Sequence, residues 1–94
     1  MVKKKVLITN PAGFHLRPAG ILCQEAASHA SSVHFIHRNS EYNAKSVLSV
    51  LGSGVRCGDI IEVICEGPDE NEALLGVETV LEQGLIAESR KRPE

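Results

Sequence analysis

The sequence predicts an α+β fold of two layers, one β-sheet with helices on a single face. Segments of strand and helix character follow in the order βαββαβα, and no second set of apolar helices is available to cover the other face of the sheet. The composition agrees: in 94 residues the hydrophobic fraction is 43% and the charged fraction 23%, the balance of an ordinary globular domain. A ferredoxin-like arrangement shares most of this order, and periodicity leaves the strand order open. Residues 1–88 are expected to form one domain, with 89–94 a frayed tail.

Residues 2–9 read as a strand through Val6, Leu7 and Ile8, stopped by the turn pair Asn10-Pro11. A short loop leads to Arg17-Pro18-Ala19, which opens a helix because a first-turn proline lacks only an N–H that would have no partner. That helix is expected to run to about Ser28, with Ala19, Leu22, Cys23 and Ala26 on one apolar face. Residues 33–37 are short, rich in strand formers and bounded by polar residues, so residues 41–44 read as their hairpin partner. Ser46 is placed to cap a short helix carrying Val47, Leu48, Val50 and Leu51, which Gly52-Ser53-Gly54 ends. Residues 59–66 make the most apolar strand, and Gly67-Pro68-Asp69 breaks it. A last helix follows, with Asp69, Glu70 and Glu72 at the positive end of its dipole and Ala73, Leu74, Val77, Val80 and Leu81 at helical spacing up to Gly84.

Several functions are disfavoured before any motif is read. A net charge of −2 and 3% aromatic residues argue against a nucleic-acid binder. No apolar run approaches the ~20 residues of a membrane span, and the basic start is followed by too short an apolar stretch for a signal peptide. Cys23, Cys57 and Cys65 are an odd set without C-x-x-C spacing, so neither a disulfide framework nor a zinc site is expected, and reduced thiols fit a cytoplasmic setting.

The chemistry concentrates at His15. Imidazole is largely unprotonated near neutral pH and is then a competent nucleophile. His15 directly precedes a helix whose unpaired N–H groups and partial positive charge favour a phosphate, and Arg17 adds a fork matched to phosphoryl oxygens. The residues alone leave a solvated loop as the alternative. His34 and His37 fall on opposite faces of a strand and His29 near a helix end, so no metal or cofactor is expected. Ser46 has the structural role of a cap and a possible second one as a phosphorylation site, since a helix start accepts added negative charge. Beside it Val47, Leu48 and Leu51 cannot all face the core, and any exposed remainder is a docking patch. Ile21, off the apolar face of the first helix, is expected as an exposed contact, and Lys45 with Arg17 as the local positive charge. Cys57, in the Val55-Arg56-Cys57-Gly58 loop, lacks a nearby base and carries no assigned role.

The run Asn10-Pro11-Ala12-Gly13-Phe14-His15-Leu16-Arg17-Pro18-Ala19 resembles the signature of HPr, the histidine-containing phosphocarrier family of the bacterial sugar phosphotransferase system. Ala44-Lys45-Ser46-Val47-Leu48 resembles that family's regulatory serine segment, and the stretch from Gly58-Asp59 to Gly67-Pro68-Asp69-Glu70 its last strand and turn. The resemblance implies an open-faced β-sandwich, a four-stranded antiparallel sheet covered on one face by three helices. It implies a carrier, not an enzyme: His15 takes a phosphoryl group from phosphorylated enzyme I, Arg17 holds it, and enzyme IIA proteins receive it. It further implies phosphorylation of Ser46 by HPr kinase/phosphorylase and recognition of that form by a catabolite-control transcription factor, with Val47, Leu48 and Leu51 as docking residues of a monomer. The chain departs from the usual Gram-positive pattern, which has glycine where Ser49 stands, leucine where Ser53 stands, and alanine or threonine at Gly20. The competing readings are a mainly regulatory protein read through phospho-Ser46, and a carrier in a relay unrelated to sugar.

Overall fold

The computed structural model describes residues 1–84; the tail expected at 89–94 lies outside the described residues. Strands β1 (Val2–Leu7), β2 (Ser32–His37), β3 (Ser40–Asn43) and β4 (Ile60–Glu66) form one antiparallel sheet in the order β1-β4-β2-β3. Helices α1 (Leu16–Ala27) and α2 (Val47–Gly52) connect strands, α3 (Glu70–Thr79) follows β4, and α3 continues into a π-helical turn, Val80–Gly84. This is the open-faced sandwich the resemblance implies, and it excludes the ferredoxin-like alternative. Among the described residues no helix is long and apolar enough to cross a membrane.

Alternation decides the faces. In β4, Ile61, Val63 and Cys65 are buried against the helices while Ile60 and Glu66 are exposed. The same period buries Val33, Phe35 and His37 of β2, and pairing Phe35 with Val63 puts both strands' apolar sides in one layer. The hairpin turns at Arg38-Asn39, both at positive φ (52° and 68°), the geometry that suits the twist of paired strands. β3 starts one residue earlier than predicted, and Ala44 instead continues the contact by donating to the Val33 carbonyl at 2.9 Å. β1 likewise ends at Leu7, although Ile8 stays buried and its N–H reaches the Asp59 carbonyl at 2.9 Å.

Helix α1 buries Pro18, Ala19, Leu22 and Ala26. Cys23, expected on this face, is half-buried, and burial pushes its thiol pKa up, as it does for the buried Cys65. Gly20 is on the exposed side, and a Cβ there would meet nothing within 4 Å. Gly20→Ala should therefore gain about 0.5–1 kcal/mol from helix propensity alone. Thermal unfolding should move up by roughly 2–8 °C; a fall would reveal a contact of this face that the geometry lacks.

The end of α1 is clamped to the start of α3 by Asp69. Its carboxylate accepts from the N–H groups of Ala30 (3.1 Å) and Ser31 (2.9 Å) and from the Ser31 hydroxyl. These bonds, the Ser31 hydroxyl foremost, hold its pKa well below the usual carboxylate range. A carboxyl depressed in the folded state adds stability above its unfolded pKa, and that stability is lost as pH falls through the folded value. Asp69→Asn should be less stable at neutral pH and lose stability less steeply below about pH 4. Superimposable acid limbs for the two proteins would show that Asp69 does not govern acid unfolding.

Candidate functional site

The loop before α1 is built by its own sequence. Gly13 donates to the Asn10 carbonyl at 3.1 Å, closing a turn with Pro11 inside it, and the Asn10 amide nitrogen bonds the Gly13 carbonyl at 2.9 Å. Gly13 has φ +64°, and a Cβ there would lie 2.6 Å from the Val55 carbonyl oxygen and 2.8 Å from the Arg56 Cα. Phe14 then plunges into the core, meeting Phe35 edge-on at 5.6 Å, and donates its N–H to the Val55 carbonyl at 3.0 Å. With Phe14 fixed on one side and α1 on the other, His15 is held as the residue that caps the helix.

His15 has extended backbone angles (φ −80°, ψ −177°), and its side chain makes no capping bond. Its carbonyl accepts the first helical bond from Ala19 at 2.8 Å, so the earlier N–H groups of the turn, at Leu16 and Arg17, have no helical acceptor. The imidazole is exposed beside a cleft of about 270 Å³ lined by His15, Leu16, Leu51, Gly54, Val55 and Arg56. Arg17 is exposed in the first turn but is not among the lining residues.

Around this cleft the apolar surface is large: Leu16 is 70% and Leu48 78% exposed, and Val47 and Leu51 are also exposed while Val50 is buried. Leu16 was not singled out from the sequence, although its position between His15 and Arg17 could have shown that it lies in the first, uncovered turn. Ser46 caps α2 as predicted, its hydroxyl accepting from Ser49 N–H at 3.2 Å. The Ser49 hydroxyl accepts in turn from Asn43 N–H at 3.0 Å, so the departure at this position ties α2 to β3.

Two residues expected at the docking face are placed differently in the free chain. Ile21 is half-buried and packs against the core, because it follows the buried Pro18 by three residues and so sits at the border of the buried stripe. The Lys45 ammonium bonds the His29 carbonyl at 2.9 Å. That carbonyl lies beyond the far end of α1, about 20 Å from His15 at 1.5 Å per residue, so Lys45 brings no charge to the cleft.

His37 also has a larger role than its sequence suggested. It is 4% exposed, and its two ring nitrogens lie in hydrogen-bond contact with the Ser53 carbonyl and the Asp59 carboxylate, both at 2.9 Å. Asp59 accepts in addition from the Arg56 N–H at 3.0 Å, and these two donors, the Arg56 N–H first, lower its pKa. The cleft wall from Ser53 to Asp59 is thus strapped to the sheet. An inward position in β2 was legible, but not which groups it would meet. Cys57 is exposed on this wall, its thiol 3.5 Å from the Thr9 carbonyl.

A family model described as the PTS HPr component phosphorylation site matches residues 2–83. The chain is 37% identical over 82 residues to the phosphocarrier protein HPr of Treponema pallidum, covering 87% of this chain and 93% of that one. Its fold matches HPr from Thermoanaerobacter tengcongensis with a TM-score of 0.85 at 32% identity, over 87% of this chain and 92% of the other. It also matches Crh, the catabolite-repression protein of Bacillus subtilis, with a TM-score of 0.72 at 31% identity, over 88% and 95% of the two chains.

Proposed function

Because the chain belongs to the HPr family, the phosphocarriers of the phosphotransferase system, we propose that His15 accepts a phosphoryl group from phosphorylated enzyme I and delivers it to enzyme IIA proteins in sugar uptake. As a member of that family it is a phosphocarrier and not an enzyme in its own right. The observation that carries the proposal is an exposed imidazole beside a helix start with no side-chain cap, and a cleft that, among the described residues, no carboxylate lines. In transfer, the electron pair of a neutral ring nitrogen forms the new P–N bond as the bond from phosphorus to the donor breaks. The donor atom keeps the electrons of that bond, and the proton on the other His15 nitrogen stays where it is. The unpaired N–H groups of the first turn face the charge that arrives, without further rearrangement. Leu16, Val47, Leu48 and Leu51 supply the apolar contact for both partners.

Incubation with enzyme I and phosphoenolpyruvate tests this. The chain should gain the mass of one phosphoryl group, acid-labile and mapped to His15. No gain in mass would overturn the reading.

Ser46 gives the carrier a regulatory branch, through HPr kinase/phosphorylase and a catabolite-control transcription factor. Two observations support it: the hydroxyl sits at the start of α2 beside the exposed Leu48, and the fold resembles that of Crh. Ser46→Asp should keep the cap and change stability by no more than about 1 kcal/mol. Transfer from enzyme I to His15 should slow, because the new charge lies in the docking patch. An unchanged rate would remove Ser46 from regulation, and a large loss of stability would remove it from the cap.

A further inference from the structure

We propose that Arg56 is a second phosphoryl ligand of the site, reaching the group on His15 from the opposite wall of the cleft. The inference rests on the reading of His15 as the phosphoryl acceptor.

Among the described residues Arg56 is the lysine or arginine that lines the cleft, together with His15, Leu16 and Leu51. Its place is set by backbone. Its N–H is held by Asp59 at 3.0 Å, and the preceding carbonyl, of Val55, accepts from Phe14 at 3.0 Å, one residue before His15. The two walls approach so closely at Gly13 that a single methyl would collide with Val55 and Arg56. The guanidinium therefore starts from a backbone that cannot drift away from the His15 loop.

Its charge is also uncommitted. Among the described residues Arg56 forms no ion pair. The nearest carboxylate in sequence, Asp59, is engaged by the Arg56 N–H and by His37 at 2.9 Å. Glu25 and Glu41, the only acidic residues before Asp59, are paired with His29 and His34.

The charge balance leaves room for such a group. A phosphoryl group carries about −1.5 to −2 near neutral pH. Arg17 offers one positive charge and the helix start roughly half of one, which matches the group at −1.5 and leaves the full dianion about half a charge short. A second guanidinium on the other side covers that remainder and can donate to the group's oxygens in a planar fork.

The test compares wild type with Arg56→Ala and Arg56→Lys, each phosphorylated with enzyme I and phosphoenolpyruvate. One readout is the transfer rate; the other is a ³¹P NMR pH titration of the phosphohistidine. Arg56→Ala should slow transfer about tenfold to a hundredfold, the scale of one lost charge-assisted hydrogen bond. It should also raise the apparent pKa of the phosphoryl group, and Arg56→Lys should restore part of that shift. A wild-type titration curve for Arg56→Ala would overturn the assignment, even if transfer slowed, because Arg56 would then be acting on a partner surface. A wild type that takes no label at His15 would instead overturn the carrier reading on which the assignment rests.

Discussion

His15→Ala is expected to abolish phosphoryl acceptance while leaving the fold untouched. The imidazole is exposed and makes no capping bond, so its loss removes no hydrogen bond of the helix start. The backbone carbonyl that accepts from Ala19 remains. Phe14, whose ring and N–H fix the loop, is unchanged. Stability should therefore stay within about 0.5 kcal/mol of wild type, as for other exposed substitutions. Labelling from phosphoenolpyruvate and enzyme I should fall to the level seen without enzyme I. Denaturant unfolding and a labelling time course on the same sample separate the two halves of this result. Sustained labelling would shift the site to another imidazole, with His34 the first to examine, since it lies on the uncovered face of the sheet beside Glu41. A large loss of stability would mean that the imidazole is part of the helix start after all.

Gly13→Ala should have the largest effect on stability of any single methyl added in the site. Two costs coincide there. An L-residue at φ +64° pays about 1–2 kcal/mol for its own conformation. The added Cβ would also lie 2.6 Å from the Val55 oxygen and 2.8 Å from the Arg56 Cα, and neither backbone atom can swing aside as a side chain could. Together the loss should reach about 2–4 kcal/mol, with slower transfer to His15 because the cleft walls are pushed apart. Gly54→Ala is the control: it has φ +70°, yet a Cβ there meets nothing within 4 Å. It should pay the conformational cost alone, about 1–2 kcal/mol. Equal losses at the two positions would show that the close approach at Gly13 carries no energy of its own.

The order of elements, the turns and the caps were legible because each is settled within a few residues. Asn10-Pro11 sets a turn, although β1 stops earlier at Leu7, and Ser46 caps α2 whatever the rest of the chain does. The placement of an imidazole directly before a helix start, with an arginine in its first turn, was legible for the same reason, since the three are contiguous. Only the tertiary structure decided the strand order β1-β4-β2-β3, the pairing of His37 with Asp59, the diversion of Lys45 to the His29 carbonyl, and the arrival of Arg56 at the His15 cleft. Apart from the β2–β3 hairpin, which the sequence predicts, each of these joins residues 16 or more apart in the chain. Their meeting depends on which strand faces bury together, and sidedness within a strand does not specify which strands become neighbours.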